Sequence, residues 1–203
     1  MANMRNIWQC EVRQADRVAN VLTKTSKAKL GWRTLLLPLF LTDYFRHFGR
    51  KRRTRKNLLF TKQLAFDAAN NVHKTGEPAW EIRKYEIQTQ EILDKEKKGL
   101  YTDKIRRKQM LEIELLMQHY LSLFGAQGSS YQAVIKATYP SKGRYREFLN
   151  RLQKTEEEVI QAAITTVRQG SKKERRQWYD MVRTTTKKFR MEDAEKIYSE
   201  IKR

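Results

Sequence analysis

The segment TDKIRRKQMLEIELLMQHYLSLF, residues 102–124, decides the fold class. Its apolar residues recur at three- and four-residue spacings, a pattern typical of an amphipathic α-helix. Together they form one wide apolar stripe: Ile113, Leu116, Met117, Tyr120, Leu121 and Phe124. Thr102 suits the N-cap position, because its hydroxyl can accept a hydrogen bond from a backbone N–H of the first turn. We therefore predict a long core helix that begins after Thr102.

The helical spacing continues on both sides of this segment, and glycines or prolines separate the stretches. The predicted helices cover about residues 4–28, 42–48, 55–73, 78–97, 129–138, 142–169 and the residues after Ser171. Thr155-Glu156-Glu157-Glu158 resembles a capping box, which allows a helix break near residue 154 with the glutamates as first-turn anions. The pattern predicts an all-α fold: an irregular multi-helix bundle of about seven or eight helices with a basic N-terminal helical extension.

Composition limits the class of protein. The chain has 203 residues, 39% of them hydrophobic, which is enough for a substantial core. Cys10 is the single cysteine, so neither an internal disulfide nor a zinc site built on cysteines is expected. The N-terminal residues contain no apolar stretch typical of a signal peptide. These features favour a cytoplasmic protein.

The net charge of +20 is unevenly distributed. Residues 1–60 hold 14 Lys or Arg and 3 Asp or Glu, a net of +11 and more than half of the total. We therefore divide the chain into a basic amphipathic N-terminal element with an apolar block, residues 1–56, and a helical bundle domain, residues 57–203. Such charge favours polyanionic partners: an anionic membrane surface, nucleic acid or an acidic protein.

An apolar block, LLLPLFLTDYFRHF at residues 35–48, precedes a basic run, RKRRTRK at residues 50–56. The block is too short and too interrupted by Pro38 to span a bilayer, which requires about 20 apolar residues. It suits the membrane interface, where aromatic and leucine side chains enter the headgroup boundary and cations contact anionic lipid. The alternative is that the block is an ordinary buried core helix. Both interpretations remain open from the sequence.

The position of the basic run relative to the predicted helices bears on the same choice between binding and structural roles. It precedes the helix predicted over residues 55–73, where cations oppose the helix dipole, although the same cations suit the C-terminus of the 42–48 segment. The predicted anion- or membrane-binding residues are Trp32, Arg33, Phe40, Tyr44, Phe45, Phe48, Arg50, Lys51, Arg52, Arg53, Arg55 and Lys56.

Basic residues also alternate with aromatic residues near the C-terminus, a pattern compatible with charge-driven binding of RNA or single-stranded DNA. The residues of this alternative site are Lys172, Lys173, Arg175, Arg176, Trp178, Lys187, Lys188 and Arg190. Tyr145 and Phe148 belong to a similar cluster, but their spacing favours the core stripe of the helix over residues 142–169. No sequence-specific nucleic-acid motif is evident.

The motifs of common enzymes are absent from the sequence. His47, His73 and His119 fit no metal-binding pattern, and no glycine-rich nucleotide loop occurs. Glu112 and His119 fall on one face of the 102–124 helix, but an ordinary hydrogen-bonded or solvated histidine is favoured over an acid–base pair. We expect no catalytic residues, no metal, no cofactor and no small-molecule substrate.

The sequence thus favours a non-enzymatic, anionic-surface-binding protein. The leading hypothesis is a peripheral membrane-associated helical adaptor at the inner face of a membrane. The alternatives are a nucleic-acid-binding protein and a helical scaffold that binds an acidic protein.

Overall fold

The computed structural model describes residues 2–25, 50–95, 100–166 and 171–199. Within these residues the chain forms seven α-helices: α1 (Ala2–Thr25), α2 (Arg50–Thr75), α3 (Pro78–Lys95), α4 (Asp103–Gly125), α5 (Tyr131–Thr138), α6 (Lys142–Thr166) and α7 (Lys172–Tyr198). No strand occurs in the described residues, and the predicted all-α multi-helix bundle is confirmed.

Capping residues fix two of the helix starts, as their sequences predict. Thr102 is the N-cap of α4, and its hydroxyl accepts a hydrogen bond from the backbone N–H of Ile105 at 3.4 Å. Ser171 and Glu174 form a reciprocal capping box at the start of α7, with distances of 3.2 and 2.8 Å. Both caps satisfy backbone N–H groups that have no partner inside the helix.

Two helix boundaries differ from the predicted ones. Helix α2 begins at Arg50 rather than near residue 55, so the basic run forms its first turns. Helix α6 is unbroken through residue 154, and the Thr155 hydroxyl donates to the carbonyl oxygen of Arg151 at 3.0 Å inside the helix. The glutamates of residues 156–158 are therefore not first-turn anions. The segment predicted as helix over 42–48 lies outside the described residues.

Side-chain pairs define the helix directions. Lys62 contacts Glu11 and Arg55 contacts Asp16, so α1 and α2 are antiparallel. Ile7 near the start of α1 packs in the cluster of Ala194 and Ile197, and Leu22 near its end packs in the cluster of Trp178, so α1 and α7 are antiparallel as well. It follows that α2 and α7 point the same way, with both N-termini beside the C-terminus of α1.

The remaining long helices extend this arrangement. Helix α4 runs parallel to α2, since Phe66 packs on Tyr120 and His73 packs on Phe124. Helix α6 is antiparallel to α4: the N-terminal part of α4 packs with the C-terminal part of α6 through Ile105. The N-termini of α2, α4 and α7 thus share one end of the bundle.

Helix α1 is part of the bundle rather than an appended extension. Its Ile7 lies in the main core cluster with residues of α2, α4, α5, α6 and α7. The boundary predicted after Lys56 falls inside α2, so the described residues before it pack with those after it. Tyr145 and Phe148 are buried in the same core, as their spacing predicts.

Candidate functional site

The structure brings parts of both predicted anion-binding sets to one end of the bundle. Leu58 near the start of α2 packs on the cluster formed by Trp178, Tyr179 and Val182 near the start of α7. The two helix starts are therefore neighbours, and each carries basic side chains. Lys51 and Arg52 on α2 and Lys172, Lys173 and Arg176 on α7 are exposed. We refer to these five residues as the basic end.

The other members of the basic run also lie on α2. Arg50 and Arg53 lie in the first turns of α2. Arg55 and Lys56 are partly buried, and the guanidinium of Arg55 contacts the carboxylate of Asp16 at 3.4 Å. Part of the run therefore packs against α1. The aromatic and basic residues predicted upstream lie outside the described residues: Trp32, Arg33, Phe40, Tyr44, Phe45 and Phe48.

Two members of the alternative nucleic-acid set are in the interior. Trp178 is 5% exposed in the cluster beneath the basic end, and Arg190 is 2% exposed. A buried indole presents no face on which a base could stack, and a buried guanidinium cannot contact a polymer phosphate. Arg175 is partly buried, whereas Lys187 and Lys188 are exposed farther along α7.

The apolar block belongs to the segment between α1 and α2, residues 26–49, which lies outside the described residues. Thr25 ends α1 and Arg50 begins α2, and the antiparallel packing of these helices places both residues at that end. None of the described helices is long and apolar enough to cross a membrane.

A second feature, a buried polar layer, was not predicted from the sequence. The Lys62 ammonium contacts Glu11 at 2.5 Å and Gln14 at 3.4 Å. In a second ion pair, the Arg190 guanidinium donates to both oxygens of Glu156 at 2.6 and 2.7 Å. The two ion pairs join α1 to α2 and α6 to α7.

Each charge of the layer has a geometrically suitable partner. Burial disfavours the charged form of Glu11, but the attraction and hydrogen bond of Lys62 outweigh it and hold the pKa of Glu11 below its ordinary value. Burial likewise opposes the charge of Arg190, whereas Glu156 stabilises that charge and raises the pKa of Arg190. The Tyr120 hydroxyl completes the first pair by donating to Glu11 at 3.0 Å.

Glu112 and His119 occur near this layer but do not form an acid–base pair. Glu112 lines a cavity of about 110 Å³, whereas His119 lines a neighbouring cavity of about 360 Å³ on the other side of Lys62 and Arg190, which line both. The Nδ1 atom of His119 lies 2.7 Å from the hydroxyl of Tyr139, and its ring stacks on Phe148. Burial lowers the pKa of His119 to about 3, so the imidazole is neutral at physiological pH. This is the ordinary hydrogen-bonded histidine that the sequence favoured.

The sequence did carry a signal for the polar layer. Glu11 falls on the helical stripe of Ile7 and Ala15, and Lys62 falls on the stripe of Leu58 and Ala65. A charged residue at a core-facing position is rarely buried unless it has a partner. Periodicity alone does not reveal which helix supplies that partner.

Comparisons of the chain with family models, with curated proteins and with solved structures found no match. The class that the fold and site define is therefore a structural one: an all-α bundle with a basic end and a buried polar layer.

Proposed function

We propose that the protein is a peripheral membrane-associated helical adaptor that docks on an anionic lipid surface through its basic end and the adjoining apolar block. The convergence of two basic helix starts carries the proposal. Five exposed cations, which lie far apart in the sequence, share one end of the bundle. An anionic lipid surface attracts such a cluster with about 1 kcal/mol for each basic residue near it.

Helix polarity supports the same partner. The N-termini of α2, α4 and α7 share this end, and each contributes the partial positive charge of its dipole. Helix α2 has no acidic residue in its first turn. Cations at this position cost a helix about 0.3–1 kcal/mol each when exposed. An external anion would offset this cost, so the arrangement is better suited to binding than to helix stability.

The apolar block supplies the second component of an interfacial site. Its leucine, phenylalanine and tyrosine residues suit the boundary between headgroups and acyl chains. The segment that contains the block leaves the described bundle after Thr25 and re-enters it at Arg50, and both of these residues lie at the basic end. The proposal places the block beside the cations and the protein at the cytoplasmic face of a membrane.

RNA is the main competing partner, since its phosphates would respond to the same charge. The burial of Trp178 weighs against it, because charge-driven binding of single strands usually includes stacking on exposed rings. An acidic protein would also respond to the charge but gives no role to the apolar block.

Flotation with phosphatidylserine-containing vesicles tests the proposal. In the basic-end variant the five residues Lys51, Arg52, Lys172, Lys173 and Arg176 become Gln. The matched control changes five exposed cations away from this end to Gln: Lys74, Lys136, Arg144, Arg151 and Lys196. Both variants lose the same formal charge, so they differ only in where it is lost.

At about 1 kcal/mol per cation, the basic-end variant should lose about a thousandfold or more in vesicle partitioning, with a smaller loss in the control. Substitution of Phe40, Phe45 and Phe48 by Ser should also reduce partitioning. Equal losses in the two charge variants would show that net charge alone acts. The nucleic-acid alternative would be favoured if the Phe variant bound a labelled single-stranded RNA and the unmodified chain bound no vesicles.

A further inference from the structure

The cavity that contains Glu112 lies in the centre of the bundle, and we refer to it as the inner cavity. Its volume is about 110 Å³, and α1, α2, α4, α6 and α7 all contribute to its wall. An apolar protein cavity of about 150 Å³ holds a molecule as large as benzene, so the inner cavity has room for a smaller organic solute. Thr61 and Thr186, which also line it, are partly exposed.

Two polar groups on the cavity wall lack partners. Asn57 is 6% exposed, and its Oδ1 atom has no hydrogen bond. Glu112 is 7% exposed, and among the described residues nothing donates a hydrogen bond to its carboxyl group. Buried polar atoms in native proteins usually have a partner, so the unpartnered oxygen of Asn57, on the same cavity wall as the Glu112 carboxyl group, indicates a missing donor.

The charges around the cavity are otherwise balanced. Lys62 is paired with Glu11, and Arg190 is paired with Glu156. These are the charged groups that face Glu112 from α2, α7 and α6, with Glu11 behind Lys62 on α1. Glu112 on α4 lies beside this layer, and its carboxyl group forms none of the ion pairs found among the described residues.

The rest of the wall is mostly aliphatic. Six of its residues present methyl groups or branched chains: Val18, Leu58, Ile105, Val159, Ile160 and Val182. A solute that fits must therefore combine a hydrogen-bond donor, preferably charged, with a short apolar body.

We propose that the inner cavity is a binding site for a small organic cation, a primary alkylammonium ion, held by the Glu112 carboxylate and Asn57 Oδ1. The ammonium group donates to these two acceptors, and its alkyl chain lies against the aliphatic wall. This site is separate from the basic end and needs no lipid or nucleic acid.

The electrostatics of the cavity give the site a measurable linkage to pH. Burial, reinforced by the charge of Glu156 and opposed by Arg190 and Lys62, raises the pKa of Glu112 to about 8. The empty site therefore holds a proton on Glu112 at neutral pH. An ammonium ion stabilises the carboxylate, so its binding releases that proton to solvent and strengthens as the pH rises towards 8.

Calorimetric titration of the full chain with propylammonium chloride tests the proposal, with 1-propanol and sodium propionate as neutral and anionic counterparts. A ligand this small is expected to bind with a dissociation constant on the order of a millimolar. The association constant should rise about tenfold between pH 6 and pH 7 and level off above about pH 8. Repeating the titration in buffers of different ionisation enthalpy should show a net release of protons.

Matched variants assign the binding to the cavity. Glu112→Gln keeps the size of the side chain and should reduce affinity at least tenfold and remove the pH dependence. Glu114→Gln, an exposed position on the same helix, should change neither. Ala163→Leu fills the cavity from α6 and should abolish binding without altering Glu112. Circular dichroism verifies that each variant is folded.

Each result of these titrations either supports or overturns the proposed ammonium site. Saturable binding of propylammonium that depends on Glu112 supports the site. Equal binding of 1-propanol, an unchanged affinity in Glu112→Gln, or no saturable binding at any pH would overturn it and leave the inner cavity a site for water only.

Discussion

The buried carboxyl group of Glu112 leads to a pH-dependent prediction about stability. Its pKa is raised to about 8 in the folded protein, against an ordinary value of 4.5, because burial and Glu156 disfavour its ionisation. Between these values Glu112 is protonated in the folded chain and ionised in the unfolded chain. The contribution of Glu112 to the free energy of unfolding therefore falls as the pH rises through this window. Glu112→Gln removes the titration while keeping the shape of the side chain.

The magnitude follows from the two pKa values. Integrated from pH 5.5 to pH 8.5, the difference in proton binding amounts to about 3 kcal/mol, at 1.36 kcal/mol for each pKa unit. Over this range the Gln variant should gain about 3 kcal/mol of stability relative to the unmodified chain. Urea unfolding at pH 5.5, 7 and 8.5 measures it, and other titrating groups cancel in the difference. Parallel stability profiles for the two proteins would refute the assigned environment of Glu112.

Three further predictions concern the Lys62–Glu11 ion pair, His119 and the N-cap of α7. Lys62→Met leaves the Glu11 carboxylate buried without its cation and should destabilise the fold by about 3–5 kcal/mol. The double variant with Glu11→Leu should recover most of this loss in a urea-based mutant cycle. Because its pKa is lowered, His119 contributes stability that is present above about pH 6.5 and is lost as the pH falls towards 3. His119→Gln should therefore flatten the acid side of the profile of melting temperature against pH. Ser171→Ala removes the N-cap of α7 and should cost about 1 kcal/mol, whereas Thr184→Ala in the middle of α7 should not destabilise the protein.

Local signals in the sequence located most of the helices. The hydroxyls of Thr102 and Ser171 mark helix starts because they bond backbone N–H groups only a few residues away. The start of α2 was predicted near residue 55 because the apolar stripe of that helix begins at Leu58, whereas the helix itself begins at Arg50, in the basic run that precedes the stripe. The helix break predicted near residue 154 does not occur. A threonine hydroxyl can cap a helix start, but it can also bond within a helix to the carbonyl four residues earlier, as that of Thr155 does.

Prediction of the candidate sites was limited for a different reason. The basic residues of α2 and α7 were identified from the sequence, but as members of two competing sites. Only the packing of Leu58 beside Trp178 brings them to one end of the bundle. The same packing buries Trp178, which the alternation of basic and aromatic residues had suggested as a stacking surface.

The sequence by itself determined the helical periodicity, the caps and a net charge of +20, because each depends on residues within a few turns of one another or on composition alone. The tertiary structure decided which charges meet. The partner of Lys62 lies 51 residues away, and the partner of Arg190 lies 34 residues away. Burial energy depends on such long-range partners, so the buried polar layer, the unpartnered Glu112 and the basic end exist only once the helices have packed.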